Sequence, residues 1–122
     1  MLVITATDEW RMAHPGARIG LLEISGVDNT RPSSALDERK RETEAQLRER
    51  YGGFTRPDFL ALPLMTAYEQ YYKRFNKTYH VQLQVESLVL KGKSLPAVSP
   101  LVDANFTSEV ATFVLTAGHD VA

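Results

Sequence analysis

A long, charged segment, "RPSSALDERKRETEAQLRERYGG" (31–53), constrains the fold more than any other part of this chain. Strong helix formers fill it, serines near its start can cap a helix, and two glycines can end one. Asp37–Arg41 and Glu44–Arg48 have the i,i+4 spacing of surface ion pairs. Since its charges nearly cancel, the pattern favours a solvated surface helix over a nucleic-acid recognition helix. Its few apolar residues predict only a thin buried stripe: Leu36, Leu47 and Tyr51.

Three further helices are predicted. A short one, "TDEWRMAH", begins after Thr7 or Asp8, and a longer one begins at Pro63 after a loop over 54–63. The third, over 99–115, has Ser99 as its cap and Pro100 as its first residue. Helical spacing predicts two apolar faces that pack in the core: Leu64, Tyr68, Tyr71 and Phe75 in the second; Val102, Phe106, Val110 and Phe113 in the third.

Two β-rich runs precede the long helix. "LVIT" (2–5) and "ARIGLLEISGV" (17–27) predict strands, whereas 78–92 fits a strand and a helix equally well. Short N-terminal strands followed by several helices indicate an α+β domain. Because two strands form a marginal sheet, we expect the sheet to be completed by another chain or by the rest of a longer domain.

Composition excludes several classes of protein. The 122 residues, 43% of them hydrophobic, fit a single domain over 1–122. No secretory leader or membrane-spanning run is recognisable, so we expect a cytoplasmic protein with no membrane partner. No cysteine is present, and the three histidines lack metal-site spacing, so we expect no metal and no cofactor. A net charge of −1 gives no global attraction to nucleic acid.

Two stretches contain residues that could carry chemistry. Residues 69–80 mix aromatics with Lys73, Arg74 and Lys77, which is typical of single-strand binding, although aromatics at helical spacing more often pack in a core. His119 beside Asp120 could act as a general base with an acid nearby. The alternative for His119 is an exposed side chain on a tail.

Four ordered motifs between Tyr71 and Asp120 resemble one family. "YYKRF", "VESLVLKGKSLP", "SPLVDANF" and "GHD" are similar to segments of the stand-alone B3/4 domain proteins, relatives of the B3/B4 domain of the phenylalanyl-tRNA synthetase beta subunit. The resemblance implies an α+β fold, of which this chain is the N-terminal part. It also implies that the element over 80–90 is a helix.

The resemblance further implies a tRNA-related function. The synthetase domain is similar to an editing hydrolase that removes tyrosine mischarged onto the phenylalanine tRNA. In this chain the implied catalytic residues are His119 and Asp120, and the implied ligand or RNA contacts are Asp103, Asn105, Lys73, Arg74, Lys77, Lys91 and Lys93. The chain departs from the family at two of these positions: Asn105 follows Asp103 one residue too early, and His119 is out of register with the family's histidine.

Two alternatives to an editing domain remain, the first favoured by these departures and the second by the incomplete sheet. The first is a non-catalytic interaction or small-ligand module that kept the fold and lost the chemistry. The second is a homo-oligomer in which a second copy completes the sheet.

Overall fold

A computed structural model describes residues 2–120, and the elements in this range are six helices with no β-strand. The helices are α1 (Asp8–Ala13), α2 (Ser34–Tyr51), α3 (Arg56–Leu60), α4 (Pro63–Lys73), α5 (His80–Val89) and α6 (Pro100–Thr112). None of them is long and apolar enough to cross a membrane.

The helix signals in the sequence are largely confirmed. The Thr7 side chain caps α1 by accepting from the Trp10 N–H, and Ser33 caps α2 by accepting from the Leu36 N–H at 3.2 Å. The ambiguous element over 80–90 is a helix. The loop expected over 54–63 instead contains α3, whose start is stabilised by a reciprocal capping box between Thr55 and Asp58.

The expected α+β fold is wrong for the described residues. Neither 2–5 nor 17–27 is a strand, and no residue between 2 and 32 is buried. A strand is stable only when its backbone groups pair with a neighbour. No backbone hydrogen bond joins residues 18–26 to another described part of the chain. A β-rich composition is therefore not enough to form a strand here, because no neighbouring strand within the described range pairs with these residues.

The core lies between α2, α5 and α6 and is closed by α3 and α4. Val81 and Val85 of α5 are fully buried, and Val110 of α6 packs in the same cluster. Aromatic rings extend this cluster: Tyr51 of α2 lies 5.7 Å from Phe59 of α3, measured between ring centroids. Because α2, α5 and α6 each pack against the other two, these three helices form the centre of the domain.

Polar side chains of α2, rather than its few apolar ones, hold the segment that follows α5. Lys40 is 1% exposed, and its Nζ donates to the Pro96 carbonyl at 2.8 Å and to the Asp103 carboxylate at 3.2 Å. Glu44, also buried, accepts from the Leu95 N–H at 3.0 Å. Buried charges are tolerated when they are paired in this way.

The same helix continues this contact at its C-terminal end. Arg48 donates from Nε to the Leu88 carbonyl at 3.0 Å and from its terminal nitrogen to the Lys93 carbonyl at 2.7 Å. Lys40, Glu44 and Arg48 recur every four residues, so they lie along one face of α2. We call this face, together with Asp103, the polar clamp. The expected surface pair between Glu44 and Arg48 is therefore wrong. Arg48 binds backbone carbonyls instead, and Glu44 accepts from the Leu95 N–H and pairs with Arg41 at 2.7 Å.

Replacement of Lys40 tests the clamp. We expect Lys40→Met to reduce the free energy of unfolding by about 3–5 kcal/mol, because the Asp103 carboxylate would stay buried without its cation. Arg39 on the same helix pairs only with Glu42 at the surface, and Arg39→Met should cost no more than about 1 kcal/mol. Urea denaturation of both variants measures the difference. Equal losses would show that the buried pair is not the source of stability.

Acid should weaken the clamp. Burial opposes ionisation of Asp103, but hydrogen bonds from the Val98 N–H and from Lys40 outweigh it, so its pKa lies below the ordinary value. The pKa of Asp103 is lower in the folded protein than in the unfolded chain, where it is about 4. Its contribution to the free energy of unfolding is therefore fully present above about pH 4 and is lost as the pH falls through the folded-state pKa. Urea midpoints from neutral to acidic pH should show this, and Asp103→Asn should flatten the profile. Asp37 is exposed and serves as the control. If Asp37→Asn reduced the pH dependence of the urea midpoint as much as Asp103→Asn does, Asp103 would not be the group responsible.

Candidate functional site

The chain reverses direction between α4 and α5 and presents a cluster of exposed side chains there. The reversal is tight: the Lys77 N–H donates to the Tyr72 carbonyl at 3.1 Å, and Asn76 adopts a left-handed φ of 53°. We call this region the α4–α5 corner. Its exposed side chains are Tyr71, Lys73, Arg74, Phe75, Lys77 and His80.

The aromatic residues of the corner are on the surface, contrary to the core packing that their spacing favoured. Phe75 is 58% exposed and Tyr71 is 39% exposed, and their rings meet edge to face with centroids 5.5 Å apart. The buried side of α4 is instead formed by Met65, with Tyr68 and Tyr72 partly buried. Tyr68 stacks on Tyr79 with centroids 4.3 Å apart, and this contact sets the rotation of α4 about its axis.

Cations surround the exposed rings. Lys73 pairs with Glu69 at 3.3 Å on the surface of α4. Arg74 and Lys77 make no ion pair or side-chain hydrogen bond with any other described residue. The corner therefore offers two uncompensated positive charges beside two accessible aromatic faces.

A buried carboxylate lies under the corner. Glu109 of α6 is 2% exposed, and its Oε2 accepts from the Thr116 N–H at 2.8 Å and from the Thr116 hydroxyl at 2.9 Å. Its Oε1 has no hydrogen-bond partner among the described residues and lies 3.9 Å from Nε2 of the half-exposed His80. At 3.9 Å the two atoms are too far apart for a hydrogen bond, so the carboxylate is a charged neighbour of the His80 imidazole rather than its hydrogen-bond partner.

Two tyrosines fix the segment after α6 against the corner. The Tyr79 hydroxyl donates to the Phe113 carbonyl at 2.9 Å, and the Leu115 N–H donates to the Tyr68 hydroxyl at 3.1 Å. Burial raises the pKa of Tyr79, with smaller contributions from Tyr68 and Glu109. Its phenol therefore stays protonated at neutral pH and remains a hydrogen-bond donor.

The predicted catalytic pair lies beyond this anchored segment. His119 and Asp120 are both exposed, in a stretch without regular secondary structure. Since His119 is three residues from the anchored Thr116, the chain can carry it at most about 10 Å away. The pair therefore lies within reach of the corner, and its catalytic role stays a prediction.

The predicted ligand residues fall into separate groups. Lys73, Arg74 and Lys77 are together in the corner, whereas Lys91 and Lys93 are exposed beyond the other end of α5. Ten helical residues, about 15 Å, separate the two groups. The structure thus divides the predicted cations rather than bringing them into one patch.

Asp103 and Asn105 lie apart from both groups of cations. Asp103 is buried, and both of its carboxylate oxygens are bound within the clamp, by Lys40 and by the Val98 N–H. Asn105 is half-buried within α6. Asp103 therefore has a structural role that accounts for its contacts without a ligand.

Sequence reasoning missed the contribution of Glu109 to the corner. Glu109 follows Ser108 and precedes Val110, which is no clear signal for a buried carboxylate, and only the packing of α5 on α6 brings it near His80. No group of three or more histidine, cysteine, aspartate or glutamate residues able to hold a metal occurs in the described range. No family model, curated protein or solved structure matches this chain.

Proposed function

We propose that the α4–α5 corner binds single-stranded RNA, and specifically the unpaired aminoacylated end of a tRNA. The observation that carries this proposal is the exposure of Tyr71 and Phe75 beside the unpaired cations Arg74 and Lys77. Bases stack on accessible aromatic rings, and neighbouring cations bind the phosphates. Phe75, the more exposed of the two rings, supports a ligand-binding role most directly, whereas Tyr71 also packs against the His14 ring.

The chemistry of the corner favours a single strand over a duplex. With a net charge of −1, the chain has no broad basic surface to follow the backbone of a helix. A small patch that combines stacking with a few phosphate contacts suits unpaired nucleotides. The motifs between 71 and 120 that resemble the synthetase B3/4 relatives support tRNA as the source of that strand.

Salt dependence of RNA binding tests the proposal. The double variant Arg74→Ala/Lys77→Ala should bind a tRNA acceptor-end oligonucleotide more weakly, and the slope of log affinity against log salt should fall by about 1.4, or about 0.7 for each lost phosphate contact. Fluorescence anisotropy at several salt concentrations measures both quantities. Phe75→Ala should lose about 1–3 kcal/mol of binding free energy through lost stacking.

The second lysine group supplies the matched control. Lys91→Ala/Lys93→Ala removes the same amount of charge at the other end of α5 and should leave the slope unchanged. If this control reduces the slope as much as the corner variant, or if wild-type protein binds no RNA at low salt, the corner is not an RNA site.

The resemblance extends the proposal to hydrolysis of the ester that links an amino acid to its tRNA. In such a step a general base takes a proton from water as the water oxygen bonds to the ester carbonyl carbon. The bond from that carbon to the ribose oxygen then breaks, and the protonated base returns the proton to the leaving ribose oxygen. His80 is the better-placed imidazole, because Glu109 lies beneath it, whereas the predicted base His119 lies on the exposed tail.

A deacylation assay distinguishes the two histidines. With tyrosine mischarged onto phenylalanine tRNA, we expect His80→Asn to lower the rate above buffer by about 10²–10⁴-fold, as for loss of a general base. His119→Asn should retain most of the rate. If His119→Asn loses the activity and His80→Asn keeps it, the predicted His119 site is correct. If the wild-type protein does not deacylate the tRNA at all, the hydrolysis proposal fails, but the RNA-binding proposal is unaffected.

A non-catalytic interaction module is the second candidate. The observation that favours it is the N-terminal region, in which apolar side chains such as Met12 and Leu22 are 82% and 81% exposed. An exposed apolar surface of this kind marks a contact with another macromolecule.

A further inference from the structure

The first part of the chain, residues 2–27, contains no buried residue and so has no core of its own, and we call it the N-terminal arm. Seven of its large apolar side chains are more than half exposed: Val3, Ile4, Met12, Ile19, Leu22, Ile24 and Val27. Single exposed apolar residues are ordinary, but a run of them in one segment indicates a surface that another molecule covers.

The arm has the backbone of an unpaired strand. Ala17, Ile19 and Leu21 all line one shallow cleft of about 590 Å³, facing Leu2 and Ile4. Alternate residues on one side are the mark of extended backbone. Because residues 18–26 make no backbone hydrogen bond to another described part of the chain, they present a row of free donors and acceptors, as the edge of a sheet does.

The accessible surface area of the chain indicates how much surface a binding partner would bury. The protein exposes 9119 Å², whereas a folded monomer of 13.7 kDa exposes about 6,600 Å². The excess is about 2,500 Å², which is what one protomer contributes to a large obligate interface. A small ligand could not cover an area of this size.

We propose that a second copy of this chain covers the arm, with residues 18–26 of the two copies paired antiparallel. Two identical arms satisfy each other's backbone groups, and a two-fold axis closes the assembly at a dimer. The net charge of −1 on each chain sets no electrostatic barrier to this pairing.

The side chains of the arm fit such a pair. In extended backbone, Ile19 and Leu21 lie on one side of the strand, and Leu22 and Ile24 lie on the other. The paired strands would therefore be apolar on both faces, which suits burial between two helical bodies rather than exposure at an edge. The arm contacts the α4–α5 corner through His14, whose ring centroid lies 5.7 Å from that of Tyr71. The paired residues 18–26 are a different part of the arm, and the pairing does not depend on the proposed RNA binding.

The mass of the full chain in solution tests the pairing. Size-exclusion chromatography with light scattering should give twice 13.7 kDa for the wild-type protein. Leu22→Lys/Ile24→Lys should give a monomer with an unchanged helical circular dichroism signal, because both residues lie outside the helices. Val98→Lys replaces an apolar residue that is 67% exposed outside the arm and should remain dimeric.

Single cysteines locate the contact, since the chain contains no cysteine of its own. In an antiparallel pair about a two-fold axis, one residue lies opposite its own copy within disulfide distance. We expect one member of a cysteine series over 18–26 to form a disulfide-linked dimer under mild oxidation, while Ala45→Cys, exposed on α2, does not. A monomeric wild-type chain, a dimer that survives the lysine substitutions, or a series without cross-linking would each overturn the proposal.

Discussion

The buried ion pair between Lys40 and Asp103 is the interaction on which the rest of the helical body depends. It joins α2 to α6 directly, and Lys40 also binds the Pro96 carbonyl, so the segment between α5 and α6 has one defined path. Glu44 and Arg48 extend this contact along α2. Since charges removed from water are costly unless they are paired, the helices cannot slide past each other without leaving one of these groups unsatisfied. The pair therefore specifies the arrangement of the helices as well as stabilising it.

Correct placement of α6 against α5 then creates the α4–α5 corner. Glu109 reaches the position beneath His80 only because α6 packs on α5, and Tyr79 ties the segment after α6 to the same place. With Tyr68 stacked on Tyr79, α4 turns its remaining aromatic residues outward. The exposure of Phe75 is thus a consequence of how the core is filled. The N-terminal arm meets the corner where the rings of His14 and Tyr71 pack together, whereas residues 18–26, which we propose to pair with a second copy, are a different part of the arm.

Local signals predicted the helices well, because capping and helix-ending residues act over a few positions. Ser33 caps its helix, and Pro63 and Pro100 open theirs, as expected. The prediction of core residues was less successful. Helical spacing predicted that Tyr71 and Phe75 are buried, yet a neighbouring apolar stripe of α4 is buried instead. The sequence of α4 contains two overlapping apolar stripes, and packing against the rest of the fold determines which one is buried. The resemblance to the synthetase relatives supported a helix over 80–90, which is confirmed, and an α+β fold, which is wrong for the described residues.

By itself, the sequence determined where helices begin and end, the absence of thiol chemistry, and the presence of cations among aromatics in one stretch. Those properties depend on residues close together in the chain. Tertiary structure decided which charges are buried, which aromatic rings face solvent, and which carboxylate meets His80, since each depends on residues brought together from distant positions. The arm shows the same distinction: residues 17–27 have the composition of a strand, but strand formation requires a partner, and local sequence cannot supply one.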